Sequence, residues 1–426
     1  MADSLDETRH LRTDPATPSG DARIPLPTDE APKRLKPALR LAGLEGPRGV
    51  GCLSVVLVHV AVYFTPNVLA TTRLDFLGQA LTFFFVLSGF LLYMPYVKRL
   101  QQGGEIPDTR EYLRHRILRV FPAYLVIFLI ANFAIRAVYV ENPFAHSGDP
   151  GEGAGMITDP LKLLAQLTLT QSLFPWTLQT GISPSWSLTT EFGFYLTLPL
   201  LGIALFSCRA RINRPLRAAM WPAIALLGLG VVTNTIVGWL QLSHYSDNPL
   251  RGYWGDNWVA VLSRSFLALS DTFAFGMIAA IIYVALVGGK WDRVSTGRLQ
   301  LTTAAVMVAG LLVSFVLFAT YPHYLSTVFA LASGAFILLI VAPLARGERS
   351  GIANVTDWRP IRYIGKISLS AYLWHYPILI LVERAGLSVP DNAFGIAVAF
   401  VIVSALTIAA ASVTYRWVEV PAMRLR

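Results

Sequence analysis

The sequence has few charged residues and very few cysteines, and both shortages restrict the class of protein. Only 14% of the 426 residues are Asp, Glu, Lys or Arg, whereas soluble globular domains average about 25%. Hydrophobic residues make up 54% of the chain. Two cysteines, Cys52 and Cys208, are too few for a disulfide framework, so we expect both to be reduced and no metal site to form. The shortage of charge predicts an integral membrane protein.

Several signatures of soluble enzymes are also missing. The chain contains no G-x-G-x-x-G, Walker A, H-E-x-x-H or G-x-S-x-G pattern, so it lacks the common motifs of dinucleotide enzymes, P-loop NTPases, zinc proteases and α/β-hydrolases. The formal net charge is +9. Its basic residues are spread over loops and are not gathered into a patch with interleaved aromatics, so they do not indicate nucleic-acid binding.

Apolar stretches of about 20 residues recur along the chain, and each is long enough to cross a hydrocarbon core of about 30 Å. They predict an all-α polytopic membrane protein with about ten transmembrane helices. The first stretch begins near Gly49, behind a long polar segment, so it is not a cleavable signal peptide. The predicted spans are centred near Val58, Phe85, Phe128, Tyr195, Leu227, Thr272, Gly310, Ala332, Trp374 and Val401.

The distribution of basic residues predicts the orientation, because short cytoplasmic loops are enriched in Lys and Arg. With the N-terminus inside, the loops on the inner side collect most of the Lys and Arg residues. The loops on the outer side then hold only Arg73, Lys162, Arg251 and Arg384. We therefore expect both termini to be cytoplasmic and the protein to lie in the plasma membrane, most simply a bacterial inner membrane.

Two further segments lie outside the predicted spans. Residues 1–40 are rich in Asp, Thr, Pro, Ser and Ala, and they predict a disordered cytoplasmic tail ahead of a transmembrane domain over residues 41–426. The outer segment 141–185 contains the apolar stretch DPLKLLAQLTLTQSLFPW. We interpret that stretch as a helix at the membrane interface, with Trp176 in the aromatic belt.

Two polar side chains interrupt the first apolar segment, RGVGCLSVVLVHVAVYF. Arg48 and His59 are eleven residues apart, which at about 100° per residue is roughly three turns, so they share one helix face with about 16 Å of rise between them. Arg48 is expected near the membrane surface and His59 near the midplane. An ionisable group at that depth costs at least a few kcal/mol unless it faces a polar cavity, so the pair indicates a functional site.

Six local patterns, taken in order, resemble the acyltransferase 3 family of membrane acyltransferases over about residues 43–426. The first is the Arg48 to His59 spacing, and the second is FFFVLSGFLL at residues 83–92. HRILRVFPAYL then carries Arg116 and Arg119, and SWSLTTEFGFYLTLP carries Glu191. The last two patterns are ISLSAYLWHYPI and YRWVEVPAMRL. Thr189 and Thr190 depart from the residues that the family often has before its acidic position.

The resemblance implies transfer of an acyl group, with acetyl-CoA or another acyl-CoA from the cytosol as co-substrate. The acceptor would be a hydroxyl of a sugar or a lipid-linked glycan reached within or across the membrane, such as a trehalose mycolate glycolipid of the cell envelope. A macrolide-like small molecule is the alternative acceptor. No metal is implied. The chain ends after the tenth predicted span, so we expect it to lack the extracytoplasmic domain that is fused to some relatives.

The same resemblance assigns roles to the first polar residues. His59 would act as general base or as a transient acyl carrier, because its unperturbed pKa lies near neutrality. A buried histidine hydrogen-bonded to a neighbouring helix is the structural alternative. Arg48, Arg116 and Arg119 would form a cationic mouth for the donor's phosphates. For Arg116 and Arg119, ordinary flanks of a membrane span are the alternative.

Counting depth along each span indicates which side chains could meet His59. Glu191 would polarise His59 or bind the acceptor's hydroxyls, with Ser187 one helical turn away. Asp271 would serve similarly or form a structural pair, and it is too far along its helix from Arg264 for a direct contact. His375 would support the site, although packing or anchoring is the interpretation that we favour for it.

Two other classes of function remain open. A proton-coupled transporter would use His59, Glu191 and Asp271 as a midplane relay and substrate site. Such proteins often show inverted repeats and matched broken helices, which this sequence does not display. An inactive sensor or scaffold is the other class. The complete set of motif residues argues against it.

Overall fold

The computed structural model describes residues 41–144 and 153–425, and these ranges are almost entirely helical. The predicted disordered tail, residues 1–40, lies outside the described residues and stays a prediction. The first half of the described chain contains α1 (Glu45–Phe64), α2 (Pro66–Thr72), α3 (Ala80–Gln101), α4 (Thr109–Leu129), α5 (Pro160–Leu167), α6 (Trp186–Ser207), α7 (Pro215–Ala218) and α8 (Met220–His244).

The second half continues with shorter helices between the long ones. These are α9 (Pro249–Trp254), α10 (Trp258–Arg264), α11 (Phe266–Val287), α12 (Thr296–Thr320), α13 (Leu325–Ala345), α14 (Gly351–Thr356), α15 (Arg359–Lys366), α16 (Ser368–Arg384), α17 (Ala393–Thr414) and α18 (Val420–Arg424). Two π-helical segments, Ile130–Ile135 and Tyr415–Glu419, extend α4 and α17.

Side-chain caps define where several of the long helices begin. α4 starts after Asp108, whose carboxylate accepts a hydrogen bond from the backbone N–H of Glu111 at 2.6 Å. α17 starts after Asn392, whose side-chain oxygen accepts from the N–H groups of Phe394 and Gly395, both at 3.0 Å. These oxygens satisfy N–H groups that have no partner inside the helix, and such caps are typically worth about 1 kcal/mol.

Nine helical segments of the described chain are long and apolar enough to cross a membrane. They contain nine of the ten predicted centres, so the prediction of an all-α multi-pass protein is confirmed. The remaining centre, Trp374, lies in α16, which has 17 residues. At 1.5 Å per residue α16 is about 26 Å long, slightly shorter than a hydrocarbon core of about 30 Å.

α1 and α16 lie side by side and run in the same direction. Arg48 of α1 contacts Ser368 at the start of α16, and His59 of α1 contacts His375 further along. We call the end of the bundle at which α1 begins the near end, and the opposite end the far end. α15 packs against the first turns of α1 through Gly365, where a Cβ atom would lie only 1.9 Å from the carbonyl oxygen of Glu45. This close approach places α16, which follows α15, beside α1.

The segment between α4 and α6 lies at the far end, where α1 also ends. Two short antiparallel strands, β1 (Val138–Tyr139) and β2 (Ala154–Gly155), pair within it. The N–H and carbonyl of Tyr139 also bond those of Gly181, at 3.0 and 2.8 Å. α5 forms part of the stretch for which an interfacial helix was predicted. The strand contacts hold Tyr139 against the last turn of α1.

Candidate active site

The structure places Arg48 and His59 on the face of α1 that packs against α16. The Nη2 atom of Arg48 donates to the hydroxyl of Ser368 at 3.2 Å. One turn further along, the thiol of Cys52 contacts the carbonyl oxygen of Ser368 at 3.8 Å. His59 is the fifteenth residue of a 20-residue helix, so it lies about 21 Å from the helix start. That is roughly two thirds of the way across, beyond the midplane position that depth counting predicted.

The side chain that meets His59 is His375. The Nδ1 atom of His59 and the Nε2 atom of His375 are 3.1 Å apart, and the ring centroids are 5.0 Å apart. His375 is completely buried, whereas His59 is partly exposed. In a neutral pair one of the two facing nitrogens donates and the other accepts. When the Nδ1 atom of His59 donates, its Nε2 atom keeps a free lone pair and can take a proton.

His375 is in turn oriented by residues from α16 and α6. Its Nδ1 atom faces the backbone carbonyls of Ala371 and Tyr372, without reaching hydrogen-bond geometry. The Tyr372 ring lies 5.7 Å from the His375 ring, and its hydroxyl donates to the Pro184 carbonyl at 2.8 Å. Ser187 joins this chain because its hydroxyl lies 2.9 Å from that of Tyr372. Ser187 therefore supports the histidine pair indirectly, through Tyr372.

Three tyrosines surround His59 toward the far end. The Tyr376 ring meets the His59 ring edge to face, with centroids 4.9 Å apart. The Tyr139 and Tyr63 rings each lie 5.8 Å from the Tyr376 ring, and their own hydroxyl groups are hydrogen-bonded to each other. Burial raises the pKa of Tyr139 above its ordinary value, so this phenol stays protonated and can donate. The tyrosines provide polar groups between His59 and the far surface.

A cluster of arginines lies at the near end. The Arg48 side chain is 14% exposed and forms an ion pair with Glu45 at 3.3 Å. Arg119 of α4 is close enough to Arg48 to interact with it electrostatically. Within the described ranges, neither Arg116 nor Arg119 has a carboxylate within 4 Å. Glu45 is therefore the one carboxylate of the described ranges in direct ion-pair contact with these three arginines, and the cationic mouth stays a prediction.

Glu191 lies among these arginines and not beside His59. Its carboxylate accepts from the hydroxyl of Ser88 at 2.7 Å and is hydrogen-bonded by Tyr195. It also interacts electrostatically with Arg48. In the described chain, His59 makes hydrogen-bond or ring contacts with Val55, His375 and Tyr376. The structure thus does not bring Glu191 to His59, and the geometry favours a role in positioning the arginines.

Asp271 is separate from the site. It is fully buried where α8, α11 and α13 meet, and it is hydrogen-bonded by Thr327 and, at 3.4 Å, by Asn234. As expected, Arg264 does not reach it. The guanidinium carbon of Arg264 instead lies 3.2 Å from the centroid of the Trp254 ring. Of the two interpretations of Asp271, the geometry favours structural pairing.

The sequence interpretation missed Glu419. This residue ends the π-helical segment Tyr415–Glu419 and accepts a hydrogen bond from Ser370 of α16. It also interacts electrostatically with Arg48 and Arg119. π-Helical segments often occur at functional sites. The YRWVEVP pattern was the available signal, because it carries an acid at the end of an apolar span.

Comparison with known proteins assigns the chain to a family. The family profile described as "Acyltransferase domain" matches residues 41–416. The chain therefore belongs to the acyltransferase 3 family, as its motifs predicted. No solved structure matches the chain.

Three curated relatives illustrate the similarity. MdmB of Streptomyces mycarofaciens, named an acyltransferase, is 25% identical over 352 residues, which are 80% of this chain and 79% of that protein. OatA of Staphylococcus aureus (strain NCTC 8325 / PS 47), named an O-acetyltransferase, is 24% identical over 403 residues. These are 89% of this chain and 57% of that protein. YrhL of Bacillus subtilis (strain 168) is provisionally named a peptidoglycan O-acetyltransferase. It is 24% identical over 354 residues, which are 80% of this chain and 49% of that protein. The chain thus spans about half the length of OatA and YrhL.

Proposed function

We propose that the chain is a membrane O-acyltransferase that moves an acyl group, most simply acetyl, from cytosolic acyl-CoA to a hydroxyl of a saccharide acceptor. The observation that carries this proposal is the His59–His375 pair, 3.1 Å apart, on the same helix face as Arg48. Family membership supports the reaction class. The donor, the acceptor and the plasma-membrane location are parts of the proposal.

The arginine cluster would hold the charged head of the donor. Guanidinium groups bind phosphate oxygens in bidentate geometry. Among the residues that the structure describes, Glu45 supplies the only carboxylate in ion-pair contact with Arg48, Arg116 or Arg119. With the near end at the cytosol, the rise of about 16 Å from Arg48 to His59 lets the donor's extended arm carry its thioester toward the histidine pair.

His59 would act as the general base. Its imidazole takes the proton of the acceptor hydroxyl while the hydroxyl oxygen forms a bond to the thioester carbonyl carbon. The carbon–sulfur bond then breaks, and the departing thiolate takes the proton from His59, so the products are an ester and CoA thiol. His375 would stabilise the imidazolium that forms in between, in the same way that the third member of a catalytic triad orients its histidine. An acyl group carried on His59 is the alternative route.

The acceptor would approach from the far end, where the hydroxyl groups of Tyr63, Tyr139 and Tyr376 lie between His59 and the surface. A lipid-linked sugar suits this geometry, because its own anchor keeps it at the membrane while one hydroxyl enters. A glycolipid such as a trehalose mycolate is our proposed acceptor class. The name of YrhL points to peptidoglycan for that relative, and peptidoglycan fragments are therefore the second acceptor to test.

The transporter alternative loses its main support. It needs His59, Glu191 and Asp271 in one relay, whereas the structure places Glu191 among the arginines and Asp271 between α8, α11 and α13. A proton path between these groups would have to cross packed helices.

The test uses purified protein in liposomes, with labelled acetyl-CoA and either envelope glycolipids or peptidoglycan fragments. His59→Ala should lower ester formation by about 100-fold or more, as for loss of a general base, and Arg48→Ala should raise KM for acetyl-CoA. His323→Ala is the matched control, because His323 contacts Tyr324 and not the site. Equal labelling by wild type and His59→Ala would refute the mechanism. Label trapped on wild-type protein, but not on His59→Ala, would establish the acyl-histidine route.

A further inference from the structure

A cavity of about 620 Å³ opens at the far end of the bundle. It lies between the segment that follows α5 and the connection from α8 to α10. Its size falls within the range of about 300–1,000 Å³ that is usual for small-molecule sites. The residues that matter to its chemistry are Trp176, His244, Tyr245, Asp256, Asn257 and Trp258. None of them takes part in the site described above.

Two indole rings dominate the lining. Trp176 is 58% exposed and Trp258 is 63% exposed, and both line the same concave surface. Phe174 stacks on Trp176 with centroids 4.9 Å apart and an interplanar angle of 24°, so that ring is held in place. The faces of indole rings carry partial negative charge, and they pack well on the slightly positive C–H groups of a pyranose ring.

Polar groups beside the indoles are free to bind hydroxyls. Asp256 is exposed and His244 ends α8, and the described part of the chain offers neither side chain a hydrogen bond or an ion pair. Asn257, in contrast, is occupied, because it accepts from the N–H of Ala260 and donates to the carbonyl of Arg251. A free carboxylate and imidazole beside two exposed indoles suit an uncharged polyhydroxyl ligand.

A membrane-interface belt explains this arrangement less well. Belt tryptophans face lipid headgroups, whereas Trp176 and Trp258 line one cavity together with the exposed carboxylate of Asp256. Trp239 on the spanning helix α8 is equally exposed, at 63%, but it does not line the cavity. The chain that lines the cavity at Trp176 also continues to Pro184, whose carbonyl accepts the hydrogen bond from Tyr372 beside His375. Eight residues of chain therefore separate Trp176 from a carbonyl that contacts Tyr372 beside the histidine pair.

We propose that this cavity binds a saccharide, namely the part of the acceptor that is not acylated. Trp176 and Trp258 stack on sugar rings, and Asp256, His244 and Tyr245 bind their hydroxyls. The identification of this cavity as an acceptor subsite rests on the proposed function. The proposal that the cavity binds a saccharide does not rest on it.

The experiment is saturation-transfer difference NMR on the purified full chain in detergent micelles. The probes are trehalose, tri-N-acetylglucosamine and maltotriose. At least one should receive saturation, and Trp176→Ala or Trp258→Ala should weaken its apparent Kd about 10-fold, the loss expected for an aromatic stacking contact. Trp239→Ala, the matched control, should bind as wild type does. Asp256→Asn keeps the shape of the side chain and should weaken binding several-fold without affecting thermal stability.

No saturation of any probe, or equal binding by wild type and both tryptophan variants, would overturn the proposal. Anionic lipid can also be added to the micelles. If it displaces the saccharide probes from the wild-type protein, the cavity is a site for lipid headgroups and the proposal is overturned. Saccharide binding should survive in His59→Ala, because that change removes the base and leaves the cavity intact. If the wild-type protein binds a saccharide but transfers no acyl group to any acceptor, the proposed function is refuted and this site is supported. If Trp176→Ala and Trp258→Ala both transfer acyl groups with an unchanged KM for the acceptor, the proposed function is supported and the acceptor subsite is refuted.

Discussion

Replacing His375 by alanine removes the group that contacts the Nδ1 atom of His59, at 3.1 Å, and leaves the base itself in place. When His59 takes a proton, the contact becomes a hydrogen bond between an imidazolium and a neutral ring. Hydrogen bonds to charged groups are worth about 1.5–3 kcal/mol, which corresponds to about a 10- to 150-fold loss of rate. Because the bond strengthens only as charge develops, the loss should fall on kcat and leave KM for the acyl donor nearly unchanged.

The assay measures release of CoA thiol and formation of labelled ester over a range of acetyl-CoA concentrations. His375→Gln can place an amide oxygen near the position of the ring nitrogen, so it should recover part of the lost rate. The double variant His59→Ala/His375→Ala should be no slower than His59→Ala alone, because the two residues act as a unit. Equal kcat for wild type and His375→Ala, or a change confined to KM, would refute the assignment. Thermal unfolding of each variant separates a loss of catalysis from a loss of fold.

Three further changes test other parts of the structure. Arg119→Ala should raise KM for acetyl-CoA about 10-fold with little change in kcat, because a charge-assisted phosphate contact is lost; steady-state kinetics measure both constants. Tyr139→Phe removes a hydroxyl on the far side of His59, so acceptor KM should rise several-fold while donor KM stays constant in the same assay. Gly365→Val places side-chain atoms against the Glu45 carbonyl; a calorimetric scan should show destabilisation by about 1–3 kcal/mol, as overpacking does.

Local sequence patterns were enough to predict the helices and one face of the site. Apolar length located nine of the spans, and helical periodicity put Arg48 and His59 on a common face. Both properties depend only on residues that are near in sequence. The position of Arg119 near Arg48 could also be predicted, because the distribution of charge placed the starts of α1 and α4 at the same end.

The partners of His59 could not be predicted in the same way. Counting residues gives the depth of a side chain along its helix, but it does not say which helices are neighbours. Glu191 and Asp271 were judged similar in depth to His59, yet their helices direct them to Arg48 and to Asn234. His375, for which packing was the favoured interpretation, is the side chain that reaches the imidazole. Its contact spans 316 residues of sequence and depends on how α15 and α17 hold α16.

The parallel pairing of α1 with α16 has a consequence for biosynthesis. The polar groups of the first membrane helix find their partners on a helix that is translated 316 residues later. At about 5–20 residues per second, the ribosome takes roughly 15–60 s to cover that interval. During this time Arg48 and His59 lie in the bilayer or at its surface without Ser368 and His375. Under the proposed mechanism the nascent chain stays inactive until nearly all of it has been inserted, and the polar face of α1 is without these partners until then.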